Sequence, residues 1–191
     1  MEEKLKQISE GNPNCIKVVL YGPESTGKSS LAKELAKYYD TVYVKEFSRS
    51  YAETKAKQNL QLSQNDVLPI AVGQINSENE QLKKANTLLI CDTDLLETKV
   101  YSEFYYDGFC PDLVKKYAYE NTYDLYFLTY IDTPWEADSI RDQPNSRLQM
   151  FTAFEQALVE SKKRYIIVNG SFEERLSICK TQINELLNKV D

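Results

Sequence analysis

The stretch "VVLYGPESTGKSSLAKELAKYY", residues 18–39, passes from an apolar run through a glycine-bounded turn into a helix-forming run. The turn fits G-x-x-x-x-G-K-[ST], with Gly22, Gly27, Lys28 and Ser29 at its fixed positions. Lying between a strand and a helix, it has a mechanism. The amides of residues 22–29 cradle phosphate oxygens, Lys28 reaches the β and γ phosphates of ATP, and the Ser29 hydroxyl binds Mg²⁺. Glu24, Ser25, Thr26 and Ser30 complete the candidate nucleotide-binding set.

Further apolar, β-rich runs follow at "TVYVKEF" (41–47), "TLLICDT" (87–93), "DLYFLTYI" (124–131) and "RYIIVNG" (164–170), after "CIKVVLY" (15–21). Strands that alternate with helical patterns and are apolar throughout belong to a parallel sheet covered on both faces. The expected fold is therefore α/β, a P-loop NTPase with a three-layer sandwich and a five-stranded, mainly parallel sheet, nucleoside/nucleotide-kinase-like. Residues 1–14 read as an N-terminal lead and 15–191 as one domain. Ser146 with Gln149, and Ser171 with Glu174, fit the capping box and predict helices from about 147 and 172.

Charge and composition exclude several classes. Acidic residues outnumber basic ones 29 to 23, a net charge of −6 that disfavours a nucleic-acid footprint. Four scattered cysteines, Cys15, Cys91, Cys110 and Cys179, form no C-x-x-C pair, and Cys15 and Cys91 read as core strand residues. No apolar run approaches the ~18 residues of a membrane span, so no membrane partner and a cytoplasmic setting are expected. With no histidine in the chain, proton transfer falls to carboxylates or water.

The nucleotide class follows from what surrounds the loop. The N-K-x-D pattern that reads guanine occurs only as Asn188–Asp191, at the end of an amphipathic helix, which favours adenine without settling the choice. The third strand ends "LLICDTD", without the glutamate that polarises water in ATP-driven machines, so a group other than water is the expected acceptor. Asp92 is the second candidate metal ligand.

Ligands of open α/β sheets bind beyond the carboxyl ends of the strands, so Glu46 and Asp94 are expected to share a crevice with the phosphate loop. One of them would orient or deprotonate an acceptor hydroxyl. Arg49 either binds phosphate, holds Glu46, or belongs to a surface pair. Trp135 reads as part of the acceptor pocket or as an anchor for its acidic loop (Asp132, Glu136, Asp138). Arg141 and Arg147 are candidate lid residues that neutralise transition-state charge. Tyr101, Tyr105 and Tyr106 line a pocket or form a half-buried helix face.

"GPESTGKSSLAKELA", "KEFSRSYAE", "AVGQ", "LLICDTDLLETKVY" and "YDLYFLTYIDTPWEADSIRD" together resemble the ribosylnicotinamide kinase domain of bacterial NadR-type proteins. The resemblance implies transfer of the ATP γ-phosphate to the 5′-hydroxyl of nicotinamide riboside, a small-molecule nucleoside, in NAD synthesis. Such proteins also carry an adenylyltransferase domain, and sometimes a DNA-binding one, ahead of the kinase; with 14 residues before the first strand, those activities are expected to be lacking here. In that family an aromatic residue typically precedes the strand-two glutamate, where this chain has Lys45. A second aromatic is missing from "NSENE" (76–80), and Glu78, Glu80 or the Trp135 loop are the candidates to compensate. Another nucleoside-like acceptor, or a slow ATPase or GTPase switch, are the alternatives.

Overall fold

The structure is a computed structural model and describes residues 2–8, 14–134 and 146–189. Five parallel strands, β1 (Ile16–Tyr21), β2 (Tyr43–Val44), β3 (Leu88–Asp92), β4 (Leu125–Thr129) and β5 (Tyr165–Val168), lie in the order β2-β3-β1-β4-β5. The helices are α1 (Lys28–Tyr38), α2 (Phe47–Lys57), α3 (Val67–Leu82), α4 (Leu95–Tyr105), α5 (Asp112–Glu120), α6 (Arg147–Glu160) and α7 (Phe172–Leu187).

Side chains alternate across the sheet and feed two cores. Val18, Leu20, Ile90, Leu125 and Phe127 meet α1 and α7, whereas Val19, Tyr21, Leu89, Cys91, Tyr126 and Leu128 meet α3 to α6. That gives the three layers expected of continuously apolar strands. The neighbouring strands β1 and β3 send their following helices, α1 and α4, to opposite faces. A crevice therefore opens at their carboxyl ends, where open α/β sheets bind ligands.

Several local expectations need correction. β2 is two residues long rather than a strand over 41–47, because Phe47 begins α2 and its N–H bonds the Gln74 side chain at 2.9 Å instead of a neighbouring strand. The Ser171–Glu174 capping box forms, but Ser146 makes no side-chain cap, so that box does not. Cys91 is buried in β3, while Cys15 is half-buried just ahead of β1. Residues 2–8 do not stand apart as a lead. Leu5 is fully buried, Gln7 bonds Glu78 at 2.7 Å, and Glu2 meets Lys116 and Tyr117 at 2.5 and 2.9 Å.

Candidate active site

The phosphate loop is shaped by tight approaches. Gly22 has φ 135°, and a Cβ there would sit 2.9 Å from Thr129 Oγ1 on β4. Only glycine fits such a position. The Thr26 hydroxyl donates to Pro23 O and hydrogen-bonds Thr129 Oγ1, each at 2.7 Å. Thr26 is therefore a buried brace within the loop, while Gly27, Ser29 and Ser30 are exposed and Glu24 and Ser25 half-buried along it.

Beneath the loop lies a guanidinium that the sequence did not single out. Arg175, on α7, is 2 % exposed and donates to Thr26 O (3.0 Å), Gly170 O (2.9 Å) and Tyr130 O (3.1 Å), and it ion-pairs with Asp132. It ties the loop to the ends of β4 and β5. Asp132 also accepts the Gly170 N–H at 2.7 Å, so it serves this clamp rather than an acidic acceptor loop.

Lys28 curls onto the start of its own loop. Its Nζ donates to Gly22 O (2.6 Å) and Pro23 O (2.9 Å) and lies 3.2 Å from Glu97 Oε1. Burial alone would lower its pKa, yet Glu97, Glu46 and Asp92 outweigh burial and raise it, so the ammonium stays charged. Glu97, on the first turn of α4, is a second residue that sequence reasoning missed. It is 2 % exposed, and its Oε2 accepts the Gly22 N–H at 3.2 Å. Burial and the neighbouring carboxylates push its pKa up against the pull of Lys28.

The two aspartates of "CDTD" part company. Thr93 between them has φ 75°, a left-handed conformation unusual for a β-branched residue and costing about 1–3 kcal/mol. Before that reversal, Asp92 faces the crevice. It is 2 % exposed, lies near the Ser29 hydroxyl, and leaves Oδ1 buried without a hydrogen-bond partner. Burial first, then Glu46, pushes its pKa up to about 6 against Ser29, Lys28 and Arg49. After it, Asp94 caps α4 by accepting Glu97 N–H (2.9 Å) and takes the Tyr126 hydroxyl (2.7 Å). At 1 % exposure with both oxygens engaged, Asp94 does not reach the crevice that sequence reasoning assigned it.

Glu46 does reach it. A cleft of about 420 Å³ is lined by Ser29 and Asp92 together with Glu46, Arg49, Lys45, Phe47, Tyr43 and Ser77. Ser48 donates to Glu46 Oε1 at 2.6 Å, and Arg49 pairs with Glu53 at 3.4 Å. The "AVGQ" segment explains how this wall is placed. Gln74 holds the Phe47 amide, and the missing side chain of Gly73 admits the Phe47 ring, because a Cβ there would meet it at 2.1 Å. Glu78 offers the cleft nothing, being 1 % exposed and bonded to Tyr123 (2.7 Å) and Gln7.

Arg147 starts α6 and donates to Thr133 O at 2.8 Å and to Ser25 O at 3.4 Å, which sets it against the phosphate loop. Trp135, Glu136, Asp138 and Arg141 lie outside the described residues. Tyr101 stacks with Tyr105 and packs on Phe154, a helix face rather than a pocket wall. Asn188 caps the far end of α7, 16 residues and thus about 24 Å beyond the end that meets the phosphate loop. The guanine-reading pattern is therefore remote; Val190 and Asp191 lie outside the described residues. A larger groove of about 510 Å³ between α4 and α6 contains no phosphate-loop residue.

Residues 17–175 match a family described as an AAA domain. The trifunctional NAD biosynthesis/regulator protein NadR of Salmonella typhimurium (strain LT2) is 28 % identical over 178 residues, which cover 90 % of this chain and 43 % of that protein. The protein of the same name from Escherichia coli (strain K12) is 27 % identical over 176 residues, with the same coverage. The chain thus spans less than half the length of these relatives. A solved NadR protein in complex with NR superposes with a TM-score of 0.77 at 19 % identity, over 91 % of this chain and 51 % of that one. A deoxyadenosine kinase from M. mycoides with bound dCTP gives 0.59 at 15 % identity, over 89 % and 100 %. Both likenesses establish the P-loop kinase fold.

Proposed function

The chain belongs to this AAA-domain family, and from that premise we propose that it transfers the γ-phosphate of ATP to the 5′-hydroxyl of nicotinamide riboside. The observation that carries the reading is the cleft itself. Ser29 and Asp92, next to the phosphate loop, share a space of about 420 Å³ with Glu46, Arg49 and Phe47. A hydrolytic switch needs no such walled space for a second substrate. The likeness to the NadR proteins supports the choice of acceptor.

Within this reading Lys28 and the loop amides bind the triphosphate, and Arg147, already against Ser25, neutralises charge that builds on the transferring group. Glu46 orients the acceptor hydroxyl. Phosphoryl transfer depends mostly on positioning and electrostatics, so a weak base held by Ser48 suffices. Asp94 drops from the acceptor role, since its oxygens are spent on α4 and Tyr126.

The donor set suits Mg²⁺. The Ser29 hydroxyl and the unpartnered, buried Asp92 Oδ1 are the hard oxygens such an ion takes. Among the described residues no group of three His, Cys, Asp or Glu side chains is placed to hold a metal by itself. When bound, it supplies neutralisation of phosphate charge.

Phe47 and Tyr43 are the aromatic residues that line the cleft beside Lys45, and within this reading a ring there attracts the pyridinium. No helix among the described residues is long and apolar enough to cross a membrane. The test is identification of the product by mass spectrometry after incubation with ATP, Mg²⁺ and nicotinamide riboside. Nicotinamide mononucleotide with ADP is expected; ADP and free phosphate with unmodified riboside would refute the proposal.

A further inference from the structure

We propose that Glu97 is a positioning residue that restrains Lys28 and the Gly22 amide, and thereby sets the affinity for the triphosphate. One buried carboxylate touches both groups, with Oε2 on Gly22 N–H and Oε1 at 3.2 Å from Lys28 Nζ. Neither contact belongs to the acceptor side. Lys28 is 7 % and the Glu97 side chain 3 % exposed, so this pair is shielded from solvent.

The restraint follows from what a phosphate must displace. Lys28 donates to Gly22 O and Pro23 O and is held in an ion pair with Glu97. To reach the β and γ phosphates it must leave Glu97, whose Oε1 has no hydrogen-bond partner to take its place. The carboxylate would then face the triphosphate, as well as Glu46, Asp92 and Asp94, without a cation. Breaking a buried pair by withdrawing one partner is strongly unfavourable. Nucleotide binding bears that cost, and it disappears when Glu97 is neutral.

Glu97→Gln keeps an acceptor for Gly22 N–H and removes the charge. Two effects then act in one direction. The free protein loses the counter-ion of Lys28 and is destabilised, while the bound state loses a repulsion. The inference rests on the phosphate-binding reading of Lys28, which is tested alongside it. Titrations with inorganic tripolyphosphate and with ATP are made on wild type, Lys28→Ala and Glu97→Gln.

The expected result is that Glu97→Gln binds both probes at least about 10-fold tighter and lowers the KM for ATP by a similar factor, with kcat changed less than about 3-fold. It should also melt below wild type when free and gain more on adding nucleotide. Unchanged or weaker binding by Glu97→Gln, with Lys28→Ala impaired, would overturn the inference alone. Unimpaired Lys28→Ala would overturn the phosphate-loop reading and the inference with it. Should Glu97→Gln not fold, Lys28→Met/Glu97→Met is expected to fold, because neither charge is left unpaired. A double variant no more stable than Glu97→Met would refute the pair.

Discussion

Asp92→Asn is expected to give a protein that is more stable and inactive. Asp92 is 2 % exposed, and burial lifts its pKa from 3.8 to about 6 even with Ser29, Lys28 and Arg49 nearby. A shift of roughly 2 units, at about 1.4 kcal/mol each, corresponds to about 3 kcal/mol. The sign follows from proton binding. The folded state holds this proton more tightly than the unfolded chain, so the favourable contribution is full below pH 3.8, where both states are protonated. It is lost as pH rises through about 6. Wild type bears the whole cost above that pH, and the asparagine variant, neutral at every pH, bears none.

For a chain of this size each kcal/mol moves the melting temperature by about 2–4 °C, so Asp92→Asn should melt about 6–12 °C above wild type near pH 7.5. The difference should close toward pH 4, and EDTA in both samples keeps metal out of the comparison. Coupled ADP release should fall at least about 100-fold, since the metal loses its charged ligand. A variant that melts at or below the wild-type temperature near neutral pH would refute the burial reasoning, and undiminished turnover would remove Asp92 from the metal site.

Glu46→Gln should lower kcat for transfer by about 100-fold while ATP affinity stays within about 2-fold, as separate kinetics and nucleotide titration would show. Gly73→Ala forces a Cβ to within 2.1 Å of the Phe47 ring. A helix gain of about 1 kcal/mol offsets part of an overpacking cost of about 1–3 kcal/mol, so melting should fall by up to about 8 °C while the acceptor KM rises. Phe47→Leu in the same chain should relieve the overlap. Lys45→Tyr replaces a repelled ammonium with a ring face, and about 0.5–2 kcal/mol of cation–π attraction predicts a 2- to 30-fold rise in kcat/KM for nicotinamide riboside. An unchanged ratio would place Lys45 away from the bound ring.

What was legible in the sequence was what local pattern encodes. The phosphate loop, the buried strands and the Ser171 cap all depend on residues within a few positions of one another. β2 alternates like a strand but stands at the sheet edge, and the Gln74 side chain, 27 residues away, captures the Phe47 amide and starts a helix. Asp92 and Asp94 share a parity that in a straight strand puts both on one side, and the left-handed turn at Thr93 separates them. Glu97 and Arg175 read as polar helix residues. Their burial is set by partners on other elements, Gly22 and Lys28 for one, Thr26, Tyr130 and Asp132 for the other. A signal for Glu97 was present: it stands three residues after Asp94, at a strand end already expected to share a crevice with the phosphate loop.

Coupled ADP release with ATP and Mg²⁺, with and without nicotinamide riboside, tests the central claim most directly. Near silence is expected without an acceptor, and turnover that saturates is expected with the riboside. Equal, slow release in both conditions would contradict it, because water would then be receiving the phosphate.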